Sequence, residues 1–230
     1  MDSVTRHPVR LGRLAGATAL VYFAVFFSSI GSGPSNELHS NVSAQSAIAY
    51  AAQHGREITL QGLNDGLNNT LFGILIVLLI AVAAGEGILA RIAYVCAGAA
   101  VAIQWTHASI LYGLADLAHR GGADQGVMAL FTLGSTMDDA DAIVAPVAVA
   151  CAGWMLLRSH RVPALVGWLT LAVAAFDTVL VVLTFAGGPD LGPASVISGW
   201  LWLLGIGITL LIRPVSTHER TGMVVPATAA

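Results

Sequence analysis

The chain has 230 residues, of which 56% are hydrophobic and 10% are charged, and its formal net charge at pH 7 is −3. This composition is typical of a protein that crosses a membrane several times. Lysine is absent and the arginines form no basic patch, which argues against a nucleic-acid partner. The two cysteines, Cys96 and Cys151, lie in apolar runs and are interpreted as small buried residues.

The first predicted span covers residues 11–30 and follows a short leader, residues 1–9, that we expect to be disordered. The arginines on its N-terminal side predict that this side faces the cytoplasm. Residues 31–55 are predicted to form an outer loop that carries a short surface helix from Ala44 to His54.

The second predicted span, residues 56–84, starts polar and ends apolar. Its polar residues recur at helical spacing and so share one face, while leucines occupy the opposite face. Its apolar part from Leu71 to Ala84 covers only about 21 Å, less than a bilayer core. If the helix spans, its polar face must therefore contact protein or water inside the outer leaflet. Gly62, Gly66 and Gly73 lie beside this face and could let another helix approach closely.

The remaining predicted spans cover residues 92–114, 137–157, 164–186 and 194–212. The span at 137–157 is short, has an acidic outer half and contains Pro146, so the sequence leaves open whether this helix is continuous or broken. Residues 213–230 are predicted to be a disordered cytoplasmic tail.

The predicted fold is an all-α transmembrane bundle, a single domain of six spans with both termini in the cytoplasm. The arginines support this orientation because, in the predicted topology, only Arg56 and Arg120 fall outside. The arginines assigned to the inside are Arg6, Arg10, Arg13, Arg91, Arg158, Arg161, Arg213 and Arg220.

Several segments carry a resemblance to a family. They are LGRLAGATALVYF in the first span, SAQSAIAYAAQHGREI before the second, VPALVGWLTLAVA in the fifth and LWLLGIGITLLIRP in the sixth. With these segments the chain resembles a set of uncharacterised six-span membrane proteins of high-GC bacteria. The resemblance implies a six-span architecture in a bacterial cytoplasmic membrane and carries over no catalytic residue. The amide-rich face of the second span departs from the family, in which this helix is usually more apolar.

Counting residues from the cytoplasmic ends places polar side chains of five spans in one layer, about 20–24 Å from that side. We predict that this polar layer forms a cluster in which His107 and Asp177 approach within hydrogen-bonding distance, directly or through one water, because an isolated Asp at this depth is costly. The candidate binding residues are Asn64, Asp65, Asn68, Asn69, Gln104, His107, Asp138, Asp141, Asp177 and Ser198.

The sequence leaves four interpretations of this layer open. The polar groups hold the helices together, or they form an outward-facing site that binds or transports a small polar or cationic solute or ion. Alternatively, His107 and Asp177 belong to an intramembrane hydrolase, or the protein is a structural subunit of a membrane complex. No cofactor, metal site or catalytic residue is predicted, the lipid bilayer is the expected surrounding, and the oligomeric state stays open.

The predicted topology can be tested with reporter domains fused at residue 122 and at the C-terminus. We expect the two reporters to lie on opposite sides of the membrane, since residue 122 follows the third span. Detection of both reporters on the same side would contradict the six-span topology.

Overall fold

The computed structural model describes residues 2–29, 44–121, 124–188, 192–213 and 215. These residues form helices and short connections, and no strand occurs among them. The helices are α1 (Asp2–Ser29), α2 (Ala44–Gln53), α3 (Gly55–Ala83), α4 (Ile88–His119), α5 (Asp124–Ser159), α6 (Ala164–Phe185) and α7 (Gly192–Ile212). All of them except the short α2 are long and apolar enough to cross a membrane. The prediction of an all-α bundle of six spans is confirmed, and the protein is a multi-pass membrane protein.

Two features differ from the predicted elements. The helix α1 begins at Asp2, so helical backbone covers residues 2–9, which were expected to be disordered. The helix α5 runs from Asp124 to Ser159 and so begins well before the predicted span at 137–157. It is continuous through Pro146, a point that the sequence left open. Residues 31–43 of the predicted outer loop, which was to cover 31–55, and nearly all of the predicted tail lie outside the described residues.

The spanning helices form a closed ring with one helix outside it. The ring order is α1, α3, α5, α6 and α7, and each of these helices packs against the next, with α7 returning to α1. The remaining span, α4, packs in the angle between α3 and α5. The helices α3 and α5 therefore each pack against α4 as well as against their two neighbours in the ring. A space remains in the centre of the ring.

The helices differ in length, and the difference creates an extension at one end of the bundle. The helix α5 has 36 residues and α6 has 22, which correspond to lengths of about 54 Å and 33 Å. The N-terminal part of α5 therefore projects past the end of α6, beside the C-terminal part of α4. Both are covered by α2 through a small apolar cluster that contains Ala51, Ile58, Leu114 and Val127.

The arginines are divided unequally between the two ends of the bundle. The start of α1 lies beside the end of α7, since a Cβ atom at Gly12 would contact Val215. The turn between α3 and α4 lies beside the end of α5, since a Cβ atom at Gly85 would contact Met155. This end carries Arg10, Arg13, Arg91, Arg158, Arg161 and Arg213, whereas the opposite end carries Arg56 and Arg120.

The amphipathic face predicted for α3 is confirmed. Leucines at positions 60, 63 and 67 are exposed on the outer surface, whereas Asn68 is only 5% exposed. The predicted close approach of another helix is also confirmed, because Cβ atoms added at Gly62 and Gly66 would lie 3.1 Å from Ala108 and from the ring of Trp105 in α4. Glycine at these positions lets α4 pack tightly on the side of α3 that flanks the polar face.

The contact between α1 and α7 should depend on Gly16. A Cβ atom there would lie 2.9 Å from the carbonyl oxygen of Gly207, a backbone atom that cannot rotate away. We expect Gly16→Ala to lower the free energy of unfolding by about 1–3 kcal/mol, as overpacking does in cores. Gly98→Ala is the matched control, since no atom lies within 4 Å of the added Cβ. The stability of both variants is measured by thermal unfolding in detergent. Equal midpoints would contradict the dependence of the α1–α7 contact on Gly16.

Candidate functional site

The centre of the helix ring contains a cavity of about 190 Å³, here called the central cavity. Every helix of the ring contributes to its wall. Its polar lining consists of Asn69 from α3, Asp141 from α5, Asp177 from α6 and Ser195 from α7. The wall also contains Tyr22, Phe26, Phe72 and Trp202. The structure therefore brings together three of the predicted site residues, Asn69, Asp141 and Asp177, around one space.

The carboxylate of Asp177 is held by two serines of α7. The hydroxyl oxygens of Ser195 and Ser198 both lie 3.2 Å from Asp177 Oδ1. The Ser198 hydroxyl also lies 2.8 Å from the Ser195 carbonyl oxygen, and its single proton can be donated to only one of these acceptors at a time. The second carboxylate oxygen of Asp177 accepts no hydrogen bond from the described residues.

A second cavity of about 440 Å³, here called the outer cavity, lies between α5, α6 and α7. It is lined by Asp138 and Asp139 of α5, and by Thr184 and Phe185 in the last turn of α6. It shares Asp177, Ser195 and part of α5, including Pro146, with the central cavity. The outer cavity therefore adjoins the central cavity on the side of the bundle end that is poor in arginine.

Buried polar side chains of α4 bind α5 from outside the ring. The Gln104 amide nitrogen donates hydrogen bonds to Asp138 Oδ1 at 3.2 Å and to Asp141 Oδ2 at 3.0 Å. The Gln104 amide oxygen lies 3.3 Å from His107 Nδ1. Gln104 and His107 are 4% and 9% exposed. One amide thus links the two carboxylates, while Asp141 Oδ1 is buried and accepts no hydrogen bond within the described part of the chain.

The polar face of α3 is turned toward the protein but is only partly hydrogen-bonded. The side-chain oxygen of Asn68 is buried and accepts no hydrogen bond from a described residue. Asn69 Nδ2 makes one long contact of 3.5 Å with the Asp65 carbonyl oxygen. Asn64 and Asp65 are half-buried, and neither lines the central or the outer cavity.

The predicted contact between His107 and Asp177 is absent from the structure, and this prediction is wrong. His107 contacts Gln104 within α4, whereas Asp177 accepts hydrogen bonds from α7. The physical reason is the lateral order of the helices, because α5 lies between α4 and α6. The geometry thus gives no support to a hydrolase in which His107 and Asp177 act together.

Two hydroxyl-bearing residues of the central cavity were not among the predicted candidates. Ser195 lies one helical turn before Ser198, and the spacing of three residues could have indicated that both face Asp177. Tyr22 of α1 is the second of these residues. It contributes a hydroxyl group to the wall of the central cavity, and this group makes no hydrogen bond with a described residue. A tyrosine inside an apolar span is the signal that could have identified it, although tyrosine is also common at membrane interfaces.

Gln104 should stabilise the packing of α4 on α5. In Gln104→Leu the two carboxylates lose their shared donor, so we expect a loss of about 1–3 kcal/mol in the free energy of unfolding. The control is Thr106→Val, because Thr106 is exposed and bonds only to a carbonyl of its own helix. The two variants are compared by their unfolding midpoints in detergent. If Gln104→Leu is as stable as Thr106→Val, Gln104 does not stabilise the packing of α4 on α5.

The site as a whole is acidic. Among the described residues that line the two cavities there is no Arg and no His, whereas four carboxyl groups are present: Asp138, Asp139, Asp141 and Asp177. Such a site can hold positive charge, protons or water. Comparisons with protein-family models, curated proteins and solved structures find no match to this chain, and what the site binds is therefore inferred from its own residues.

Proposed function

We propose that the protein binds a small cation in the central cavity, with access through the outer cavity, as a carrier or a sensor. The observation that carries this proposal is that Asp141 and Asp177 line one cavity whose described wall contains no basic side chain. A carboxylate at the centre of a membrane costs about 2.5–3.5 kcal/mol on insertion scales, and two that share a space also repel each other. A bound cation would remove both costs.

A purely structural role explains less of the geometry. If the polar groups served only to hold helices together, each would be expected to find a partner in a closed, dry interface. Here a space of about 190 Å³ remains beside the carboxyl groups, and one oxygen of each carboxylate accepts no hydrogen bond from a described residue.

The acidic side chains also favour access from one side. Asp138 and Asp139 lie in the outer cavity, and Asp177 lies where the two cavities meet. A series of like charges raises the local concentration of cations. The arginine distribution favours the opposite end of the bundle as the cytoplasmic one, so the cavity would open outward.

The proposed location is the cytoplasmic membrane of a bacterium, with both termini in the cytoplasm. Two observations support it: the excess of arginine at one end of the bundle, and the resemblance of several segments to six-span proteins of high-GC bacteria. Membership of that family is part of the proposal.

Ligand-dependent stabilisation tests the proposal. The purified full-length protein is titrated with sodium, potassium, methylammonium and tetramethylammonium chlorides, with N-methylglucamine chloride keeping the ionic strength constant. At about a hundredfold excess over Kd, a cation that binds only the folded state should add about 2.7 kcal/mol of stability. We expect this gain to disappear in Asp177→Asn and in Asp141→Asn.

The control variant is Asp116→Asn, which also removes a carboxylate. Asp116 pairs with Arg120 at the surface end of α4, away from both cavities, so the cation response should persist. If none of the cations stabilises the wild-type protein, the proposed binding function is refuted. A response that Asp177→Asn and Asp141→Asn both keep would refute this assignment of the site.

A further inference from the structure

The wall of the central cavity indicates which class of cation it takes. Four aromatic side chains line the same cavity as Asp141 and Asp177: Tyr22 and Phe26 from α1, Phe72 from α3 and Trp202 from α7. Resting on the proposed function, we infer that the ligand is a small organic ammonium ion, held by the carboxylates and by aromatic faces.

Aromatic and carboxylate groups together suit an organic cation better than a metal ion. Aromatic faces attract ammonium groups, and the attraction grows when the groups are removed from water. Hard metal ions instead require a shell of several oxygen ligands at short distances. In the described part of the chain, no group of three or more His, Cys, Asp or Glu side chains could hold a metal ion. The mostly apolar wall would leave a bare inorganic ion without ligands on most sides.

The size and rigidity of the cavity agree with this class. Its volume of about 190 Å³ equals that of about six water molecules in the liquid, which is enough for an ammonium with a few carbon atoms. The Trp202 indole N–H donates to Thr170 Oγ1 at 3.1 Å, and both residues are buried, so the indole is fixed in place. Tyr22 and Phe26 lie one turn apart on α1 with ring centroids 6.1 Å apart. The aromatic wall is thus largely formed before a ligand enters.

The aromatic wall is tested by calorimetric titration of the full-length protein in detergent. The probes are methylammonium and tetramethylammonium chlorides, compared with sodium and potassium chlorides at equal ionic strength. We expect the organic cations to bind more tightly than the inorganic ones. Tyr22→Leu and Phe26→Leu should weaken the binding of tetramethylammonium about tenfold, since each removes one aromatic face.

Phe27→Leu is the matched control. Phe27 follows Phe26 on the same helix, is 55% exposed and contacts Trp200, and it does not line the central cavity. The Phe27→Leu protein should bind tetramethylammonium as tightly as the wild type does. Tyr22→Phe keeps the ring and should also bind normally. If the leucine variants fail to fold, the cation preference of the wild-type protein decides the inference by itself.

The outcomes separate this inference from the proposed function. Binding of sodium or potassium that Asp177→Asn abolishes, without binding of the organic cations, would overturn the inference and leave the proposed function standing. Organic cations that bind equally well to wild type, Tyr22→Leu and Phe26→Leu would also overturn it. If no cation binds the wild-type protein, the proposed function fails and the inference fails with it.

Discussion

The need to satisfy carboxyl groups at membrane depth is the constraint on which the site depends. Hydrocarbon offers no hydrogen bonds, so Asp141 and Asp177 must obtain them from neighbouring helices, from water or from a ligand. The helix α7 supplies two serine hydroxyl groups to Asp177, and α4 supplies the Gln104 amide to Asp141. These bonds join consecutive helices, α6 with α7 and α4 with α5, so the polar residues also contribute to how neighbouring helices pack.

The helix α5 connects the two polar regions of the bundle. Asp138 and Asp141 accept from Gln104 on its α4 side, while Asp138 also lines the outer cavity and Asp141 the central one. Since one α-helical turn contains 3.6 residues, a spacing of three lets both carboxylates reach a single amide. Gln104 binds both carboxylates from outside the ring, and Asp141 Oδ1 accepts no hydrogen bond from a described residue. The length of α5 also carries its acidic segment to the level where α6 ends.

Hydropathy and periodicity are sufficient to predict the fold but not the neighbours of each helix. Apolar length identifies the spans, and the period of α3 correctly assigns Leu60 to the outer surface and Asn68 to the interior. Residue counting gives the depth of a side chain along the membrane normal. It gives no information on lateral order, which depends on close contacts such as Gly16 with Gly207 and Gly62 with Ala108. This is why depth suggested a contact between His107 and Asp177 that α5 prevents, and why the contribution of Tyr22 was missed.

The order in which the helices pack side by side also bears on whether the polar residues hold the helices together or bind a ligand. The polar layer predicted from the sequence is divided by α5 into two parts with different surroundings. On the α4 side, Gln104 and His107 are buried and contact protein groups, as residues that hold helices together do. On the ring side, Asn69, Asp141 and Asp177 border a cavity with aromatic walls, as residues that bind a ligand do. Under the proposed function, the two roles belong to different residues of one layer. Asp141 then takes part in both, because it accepts from Gln104 of α4 and also lines the central cavity.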